Sequence, residues 1–433
     1  MLSNMINGCD IYAIPDFTIG KDDVDDFTEE LRAYHSEFSD CFRRTEPREN
    51  FFQYMCGQFS CSERKSIEPI ALQIEGAKVR CLQRTVSETL WDDDKMLRKH
   101  WELVNKDMGH SEAALIFDES GFIKKGQNSI GVARQYCGTI GKVENSQVGV
   151  FAAYASPYGY TLTDKRLFIP EKWFGDEYEN KRKKCELPCE TEFKTKPQLA
   201  TDMFYEIEKQ GILPFRYIVA DSIYGNSPEF TDVLDRYVGK IYFLGISSDT
   251  RCWLKEPFTY TKRYNYKGKE RTKKIVRDTD NKPVKVSELA GGLNDHFWYR
   301  RKVSEGAKGP IEYEFAKKEI TIAKDGVPWK QVWLIMKRTT ERNPAYYFYI
   351  SNADVSVRLK LFVWLSGIRW AIEQCFEEAK TELGMDHYEI RKYRGWNHHM
   401  ITCMLAHFFL WHLKIRLGKK SACYYFVATE DFA

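Results

Sequence analysis

A chain of 433 residues with 65 Lys and Arg against 62 Asp and Glu is close to neutral, so its overall charge does not mark it as a nucleic-acid or membrane binder. Hydrophobic residues make up 43% of it, enough for the cores of two or three domains, and no stretch approaches the roughly 18 apolar residues of a membrane span. Twelve irregularly spread cysteines, and an opening segment MLSNMINGCDIYAIP without the basic and apolar regions of a secretory signal, predict reduced thiols and a cytoplasmic location.

Residues 1–46 read as an acidic helical lead-in, with six acids between Asp22 and Glu30. Residues 47–112 read as a helical domain in which 62–76 and 86–104 carry helical periodicity, with Ser62 and Ser87 as N-caps. At 113 the pattern turns strand-rich. The apolar run 113–117 stops at Asp118, followed by the turn formers Glu119, Ser120 and Gly121, and strands are expected over 147–155 and 160–169. A helix over 196–210 leads to a strand over 217–220 that ends before Asp221, then a helix over 228–237 and a strand over 240–246. Residues 250–345 shift to alternating strands, including 298–303, 311–322 and 332–338. A strand over 346–350, a long helix containing Glu373 and a terminal helix over 396–417 follow, leaving 418–433 as a tail. The fold class is therefore α/β.

Charge is unevenly distributed. Between Lys262 and Arg277 eight of sixteen positions are Lys or Arg against one acid, Glu270, with Tyr264 and Tyr266 interleaved. Such a run is either a solvated loop or a patch that tracks a nucleic-acid strand and weakens with salt. Cys185 and Cys189 adjoin another basic run and invite a zinc-site reading, but no second pair or His cluster follows at ligand spacing, which argues against it.

The segment SGIRWAIEQCFEEAK, from Ser366 to Lys380, carries the most chemistry. At about 100° per residue Arg369, Glu373 and Lys380 fall within roughly 40° of one another on a helix. Ile368, Ile372, Cys375, Phe376, Ala379 and Leu383 fill a neighbouring arc, so one helix can pack on a core and hold a charged edge at a cleft. A surface helix with an ordinary i,i+4 pair is the alternative. Asp118 and Asp221, each at the end of an expected strand, favour a site, because open α/β sheets bind ligands beyond their strand ends.

The blocks FDESGFIKKG, GVARQYCGTIGKVENSQVGVFAAYAS, FRYIVADSIYG and GIRWAIEQCFEEAK together resemble the DDE transposases of bacterial insertion sequences, and most of all the insertion sequence 701 group. Arg369, Glu373 and Lys380 keep the spacing of that family's Tyr-Arg-Glu-Lys signature, with Ser366 where the Tyr belongs. The resemblance implies a ribonuclease-H-like catalytic domain over 113–249 and 346–417, a β-strand-rich insertion over 250–345 before the last catalytic Glu, and a helical N-terminal domain that recognises DNA or pairs protomers. It implies that Asp118, Asp221 and Glu373 are the catalytic carboxylates and the ligands of two Mg²⁺ ions, for which Mn²⁺ can substitute. Arg369 and Lys380, with Lys124, Lys125 and Arg134 from the matched blocks, would contact DNA, and Trp298 would stack on a flipped base. The implied partners are double-stranded DNA, both the inverted repeats of the element and its target, and a second copy of the chain on that DNA, in the bacterial cytoplasm and on the nucleoid when bound. A nuclease or resolvase without strand transfer, or a DNA-binding repressor derived from a transposase, are the alternatives. His398, His399, His407 and His412 are assigned no chemistry, since metals activate water without a general base.

Overall fold

The structure is a computed structural model that describes residues 21–267, 269–278, 280–306 and 309–420. The first 20 residues of the expected lead-in and residues 421–433 of the expected tail lie outside the described residues. In chain order, helices α1 (Lys21–Ser36), α2 (Thr45–Gln58), α3 (Ile67–Gln73), α4 (Val79–Ser87) and α5 (Asp93–Met108) come first. Strands β1 (Ala114–Ile123), β2 (Ala133–Cys137), β3 (Lys142–Ser156) and β4 (Gly159–Phe168) follow, then α6 (Glu179–Lys184) and α7 (Lys196–Gln210). Next are β5 (Tyr217–Ala220), α8 (Ser222–Gly225), α9 (Pro228–Leu234), β6 (Ile241–Ile246) and β7 (Arg251–Trp253). They are followed by β8 (Thr259–Tyr266), β9 (Lys269–Val276), β10 (Val284–Lys285), α10 (Val286–Gly291), β11 (Tyr299–Gly306), β12 (Gly309–Lys324) and β13 (Val327–Arg338). The chain ends with β14 (Tyr346–Ser351), α11 (Leu359–Ile368), α12 (Trp370–Thr381) and α13 (Tyr393–Lys420). The described residues form two compact units, 21–216 with 369–420, and 217–368. Among them no helix is long and apolar enough to cross a membrane.

In the first unit β3 is the central strand. It pairs antiparallel with β1 along one edge and, along the other, with β2 at its start and β4 over the rest. The strand expected to stop at Asp118 continues to Ile123, because ten residues of β1 register with β3 from Ala114 opposite Ala155 to Ile123 opposite Ser146. Past Asp118 the chain still buries Ser120 and Phe122, so a cross-strand partner overrides the Glu-Ser-Gly turn signal. Gly121 sits where an added Cβ would run into the Cys137 thiol, so a side chain here would require the thiol to move.

Helix boundaries moved where caps compete. The helix expected over 86–104 is two helices: α4 ends at Ser87, and α5 starts after Asp92, whose carboxylate accepts from the Lys95 amide at 3.0 Å. The helix expected over 62–76 contracts to α3, and the Ser62 hydroxyl donates to the Arg64 carbonyl instead of capping. The helix expected over 196–210 is α7 with the same ends, started by a Thr195–Gln198 capping box and stopped by Gly211 at φ 62°.

Strand β4 is buried on nearly its whole length, and α13, α12, α7 and α5 all pack on it. Its polar residues are therefore partnered inside the core: Thr163 donates to the Ala152 carbonyl at 3.1 Å, and Asp164 meets Arg166 at 2.5 Å. His100 and Trp101 of α5 bond the carbonyls of Leu162 and Thr163 at 2.8 and 2.7 Å. The histidines of α13 are structural in the same sense. His398 stacks on Trp91 at 3.8 Å, and His399 pairs with the Tyr54 hydroxyl at 2.8 Å.

In the second unit β5 runs parallel to β6, and β14, β13 and β12 add antiparallel in turn. Strands β11 and β7 both pair with β12, at its start and near its end, and β10 pairs with β7. Strands β8 and β9 form a separate two-stranded ribbon. Helix α11 packs its Trp364 edge-on against Tyr217 at 5.2 Å, and Phe362 joins the stacked pair Phe243 and Tyr349.

His412 of α13 lies between Asp107 of α5, at 2.5 Å, and Glu30 of α1, at 3.0 Å. The Asp107 hydrogen bond, aided by Glu30, holds the imidazole above its ordinary pKa against the effect of burial. A raised folded-state pKa contributes stability that is complete below the unfolded value and lost as pH rises through the folded one. His412→Gln is therefore expected to lower the thermal midpoint by about 2–4 °C at pH 6, roughly 1 kcal/mol for a domain of this size, and by less at pH 9. An equal deficit at both pH values in thermal melts would remove the charged bridge.

Candidate active site

Glu373 lies in the first turn of α12, where the helix dipole favours a carboxylate, and the opposite side of that helix buries Ala371, Ile372, Cys375, Phe376 and Ala379. The expected division into a charged edge and a core face is thus present. The single helix expected through 366–380 is instead two: α11 ends at Ile368 and α12 begins at Trp370, with Arg369 at the junction in right-handed helical geometry. Ser366 lies on α11 and donates its hydroxyl to the Val363 carbonyl at 3.0 Å.

Arg369 is the hub of the site in the first unit. Its Nη1 lies 3.7 Å from Asp118 Oδ2, and its Nη2 bonds Glu373 Oε1. Two carboxylates separated by more than half the chain thus share one guanidinium, and the cation offsets a repulsion that would otherwise drive them apart. The other Asp118 oxygen accepts from the Glu119 amide at 2.8 Å, which fixes the rotamer. Next to it Glu119 is paired with Lys196 of α7 at 2.9 Å, so its charge is satisfied away from Arg369.

Lys380, at the far end of α12, donates to the Gly121 carbonyl at 3.3 Å and to Thr139 at 3.2 Å. Burial pulls its pKa below the ordinary lysine value, with Asp386 opposing. It fastens α12 to β1, the strand that carries Asp118. Asp221 belongs to the second unit. It follows β5 directly and caps α8, its Oδ1 accepting from the Ile223 amide at 2.9 Å. The short helix after it packs so tightly on β6 that a Cβ on Gly225 would collide with the Gly245 carbonyl.

The remaining expected DNA contacts divide. Lys125 and Arg134 are exposed. Lys124 is turned inward, donating to the Tyr388 carbonyl at 2.9 Å with its ammonium 3.2 Å from the centre of the Tyr388 ring, which corrects its expected role as a solvent-facing DNA contact. Trp298 is also corrected. It is 7% exposed, with the Arg338 guanidinium 4.3 Å over its ring and Tyr346 against it at 5.9 Å, so the ring offers no open face to a base. Cys185 points to the Asn128 carbonyl at 3.3 Å and Cys189 is exposed.

One contributor escaped the sequence reading. Glu378, on the buried side of α12, accepts from the Tyr160 hydroxyl at 2.6 Å and meets His407 Nε2 at 2.8 Å, while Thr161 faces the other His407 nitrogen at 3.1 Å. Burial acts to raise the Glu378 pKa, but the His407 and Tyr160 hydrogen bonds overcome it, and the net shift is downward. No spacing rule flags it, because its partners come from β4 and α13.

Among the described residues no group of three or more His, Cys, Asp or Glu side chains is gathered for a metal. The donor chemistry of Asp118 and Glu373 nevertheless fits a hard divalent ion, since Mg²⁺ is held by one or two carboxylates with water and phosphate oxygens rather than in an all-protein cage.

The model of a family described as DDE superfamily endonuclease matches residues 37–310, which include Asp118 and Asp221. A probable transposase for insertion sequence element IS701 from Microchaete diplosiphon is 23% identical over 353 residues, covering 79% of this chain and 77% of that protein. Among solved structures, the NurA nuclease from Sulfolobus solfataricus aligns with a TM-score of 0.29 and 10% identity over 66% of this chain and 86% of that one, a likeness too slight to bear on the fold.

Burial pushes the Lys124 ammonium down to about 7, with Asp386 and Glu389 opposing. Because the unfolded chain holds that proton up to its ordinary value, stability gained from this group rises with pH between about 7 and 10.5. Replacing Lys124→Met is expected to flatten the rise in urea midpoint between pH 7 and pH 9 relative to the unaltered protein. Parallel pH profiles for the two proteins would contradict this placement.

Proposed function

Since the chain belongs to the DDE superfamily endonuclease family, whose model matches residues 37–310, we propose that it is a DNA transposase that cuts at the ends of an insertion sequence and joins the exposed 3′ hydroxyl to target DNA. The similarity to the IS701 transposase supports placing it in the insertion sequence 701 group. The observation that carries the site assignment is the shared guanidinium: Arg369 contacts both Asp118 and Glu373.

On this reading Asp118, Asp221 and Glu373 are the catalytic carboxylates. The superfamily implies divalent metal, and Mg²⁺, with Mn²⁺ as a substitute, is the ion we assign. Asp118, Asp221 and Glu373 are the proposed ligands of such ions, which when bound would supply activation of the attacking oxygen and neutralisation of the leaving oxygen. Asp118 and Glu373 supply negative donors on a strand and a helix, both more rigid than loops. Arg369 balances their charge and presents a fork suited to phosphate. Lys380 holds α12 against β1 and so sets the spacing of the two acids. Lys125 and Arg134 add sequence-independent phosphate contacts. Two element ends have to be held together for joining, so the working species is at least a dimer on duplex DNA, acting in the cytoplasm. The helices before residue 113 serve end recognition or pairing, and the strands of 250–345 are an insertion in a ribonuclease-H-like domain.

Each of Asp118→Asn, Asp221→Asn and Glu373→Gln is expected to reduce both cleavage and joining at least about 100-fold in Mg²⁺, the upper range for disturbing even the outer partners of a metal site. Paired end DNA and a plasmid target separate the steps, and cutting without joined product would demote the protein to a nuclease. Full activity in any one variant would exclude that acid. Arg369→Ala is expected to weaken duplex binding and lower the salt slope by about 1, and an unchanged slope would remove its phosphate contact.

A further inference from the structure

The basic run seen in the sequence folds into the ribbon of β8 and β9, paired antiparallel from Thr259 opposite Val276 to Tyr266 opposite Lys269. Alternation along two registered strands sorts its side chains onto two faces of different character. One face carries Tyr260, Lys262, Tyr264 and Tyr266 from β8, with Lys269, Arg271 and Lys273 from β9, and Ile275 at its base. It holds four cations, three tyrosines and no acid. The other face carries Thr259, Thr261, Arg263 and Asn265 opposite Val276, Lys274, Thr272 and Glu270.

The acid of the ribbon therefore lies on the second face, where Arg263 approaches Glu270 at 3.8 Å. That face is also the anchored one, since Lys274 donates to the Pro328 carbonyl of β13 at 3.3 Å. At its base the ribbon is closed by the Arg277 amide on the Phe258 carbonyl at 2.8 Å. The cationic face remains outward: Tyr260, Tyr264 and Tyr266 are 49%, 39% and 48% exposed, and Lys262, Lys269, Arg271 and Lys273 are all exposed. Arg271 leans over the Tyr266 ring at 5.1 Å, which pre-positions its guanidinium.

We propose that this ribbon is a DNA-binding arm whose tyrosine and cation face lies along the phosphates of duplex DNA. The inference rests on the reading that the protein acts on DNA. A two-stranded ribbon is of a width that the major groove admits. Strands of eight residues reach about 26 Å, the rise of roughly seven or eight base pairs. Lys and Arg supply phosphate contacts without sequence preference, and tyrosine hydroxyls donate to phosphate oxygens as well. An isolated two-stranded sheet is marginal by itself, and the Lys274 anchor ties this one to β13.

The test is duplex binding by fluorescence anisotropy across a salt series, using the full chain. A variant with Lys262→Gln, Lys269→Gln, Arg271→Gln and Lys273→Gln is expected to lower the salt slope by about 3 to 4, at about 0.9 per phosphate contact. A control with Lys106→Gln, Lys172→Gln, Lys184→Gln and Lys209→Gln removes the same charge from exposed positions elsewhere and is expected to keep the slope. A variant with Lys262→Arg, Lys269→Arg and Lys273→Arg is expected to bind like the unaltered protein. All altered side chains are exposed, and circular dichroism melts verify that each variant folds. An unchanged slope in the ribbon variant, or an equal drop in the control, overturns the proposal. If the unaltered protein binds no duplex even at 50 mM salt, the transposase reading itself falls.

Discussion

The position of Glu373 depends on a different carboxylate. Glu378 accepts from Tyr160 and meets His407, so the buried side of α12 is bolted to β4 and to α13 at once. A half-buried carboxylate loses part of its hydration, and here two partners from separate elements take its place. The helix cannot rotate or slide without losing both. Lys380 fastens the other end to the Gly121 carbonyl and Thr139. Between those two fastenings the charged edge of α12 is held against β1 and β4.

Against that rigid background the electrostatics of Asp118, Arg369 and Glu373 are simple. Two like charges at close range favour protonation or separation. A guanidinium reaching both offsets that repulsion. Arg is suited to the place because its charge is permanent and its donors form a planar fork. Glu119 would add a third negative charge, but Lys196 neutralises it from α7. The ribbon follows the same logic on a surface: Glu270 is matched by Arg263 on the anchored face, and the outward face keeps a single sign.

Much of the architecture was legible one segment at a time. The helix at 196–210 carried its own start and stop in Thr195, Gln198 and Gly211, so its ends agree with expectation. The strand before Asp221 was a short apolar run ended by a capping side chain, and it ends there. Where local signals competed with long-range pairing, pairing won. Asp118 lies within a strand because β3 extends beside it, although Glu-Ser-Gly reads as a turn. The reverse held at 86–104, where Asp92 capped a new helix inside an apolar pattern that ran on without a break. Lys124 and Trp298 lie close to basic residues in sequence and were expected to contact DNA, yet the aromatic rings of Tyr388 and Tyr346 and the Arg338 guanidinium pack on them. Composition shows that a residue is suited to a contact, and only packing shows whether it is already engaged.

By itself the sequence determined the α/β class, the placement of most helices and strands, the charged edge of the helix at 370–381, and the family resemblance of its four blocks. These are properties of short range, set by periodicity, capping and residue spacing. Tertiary structure decided that Asp118 and Glu373 meet on one guanidinium, that Glu378 joins the helix of Glu373 to β4 and α13, and that the basic run presents one clean cationic face. The physical reason is that a contact between distant residues, and the sign of charge left facing solvent, depend on which surfaces are buried against each other, and no local pattern encodes that choice.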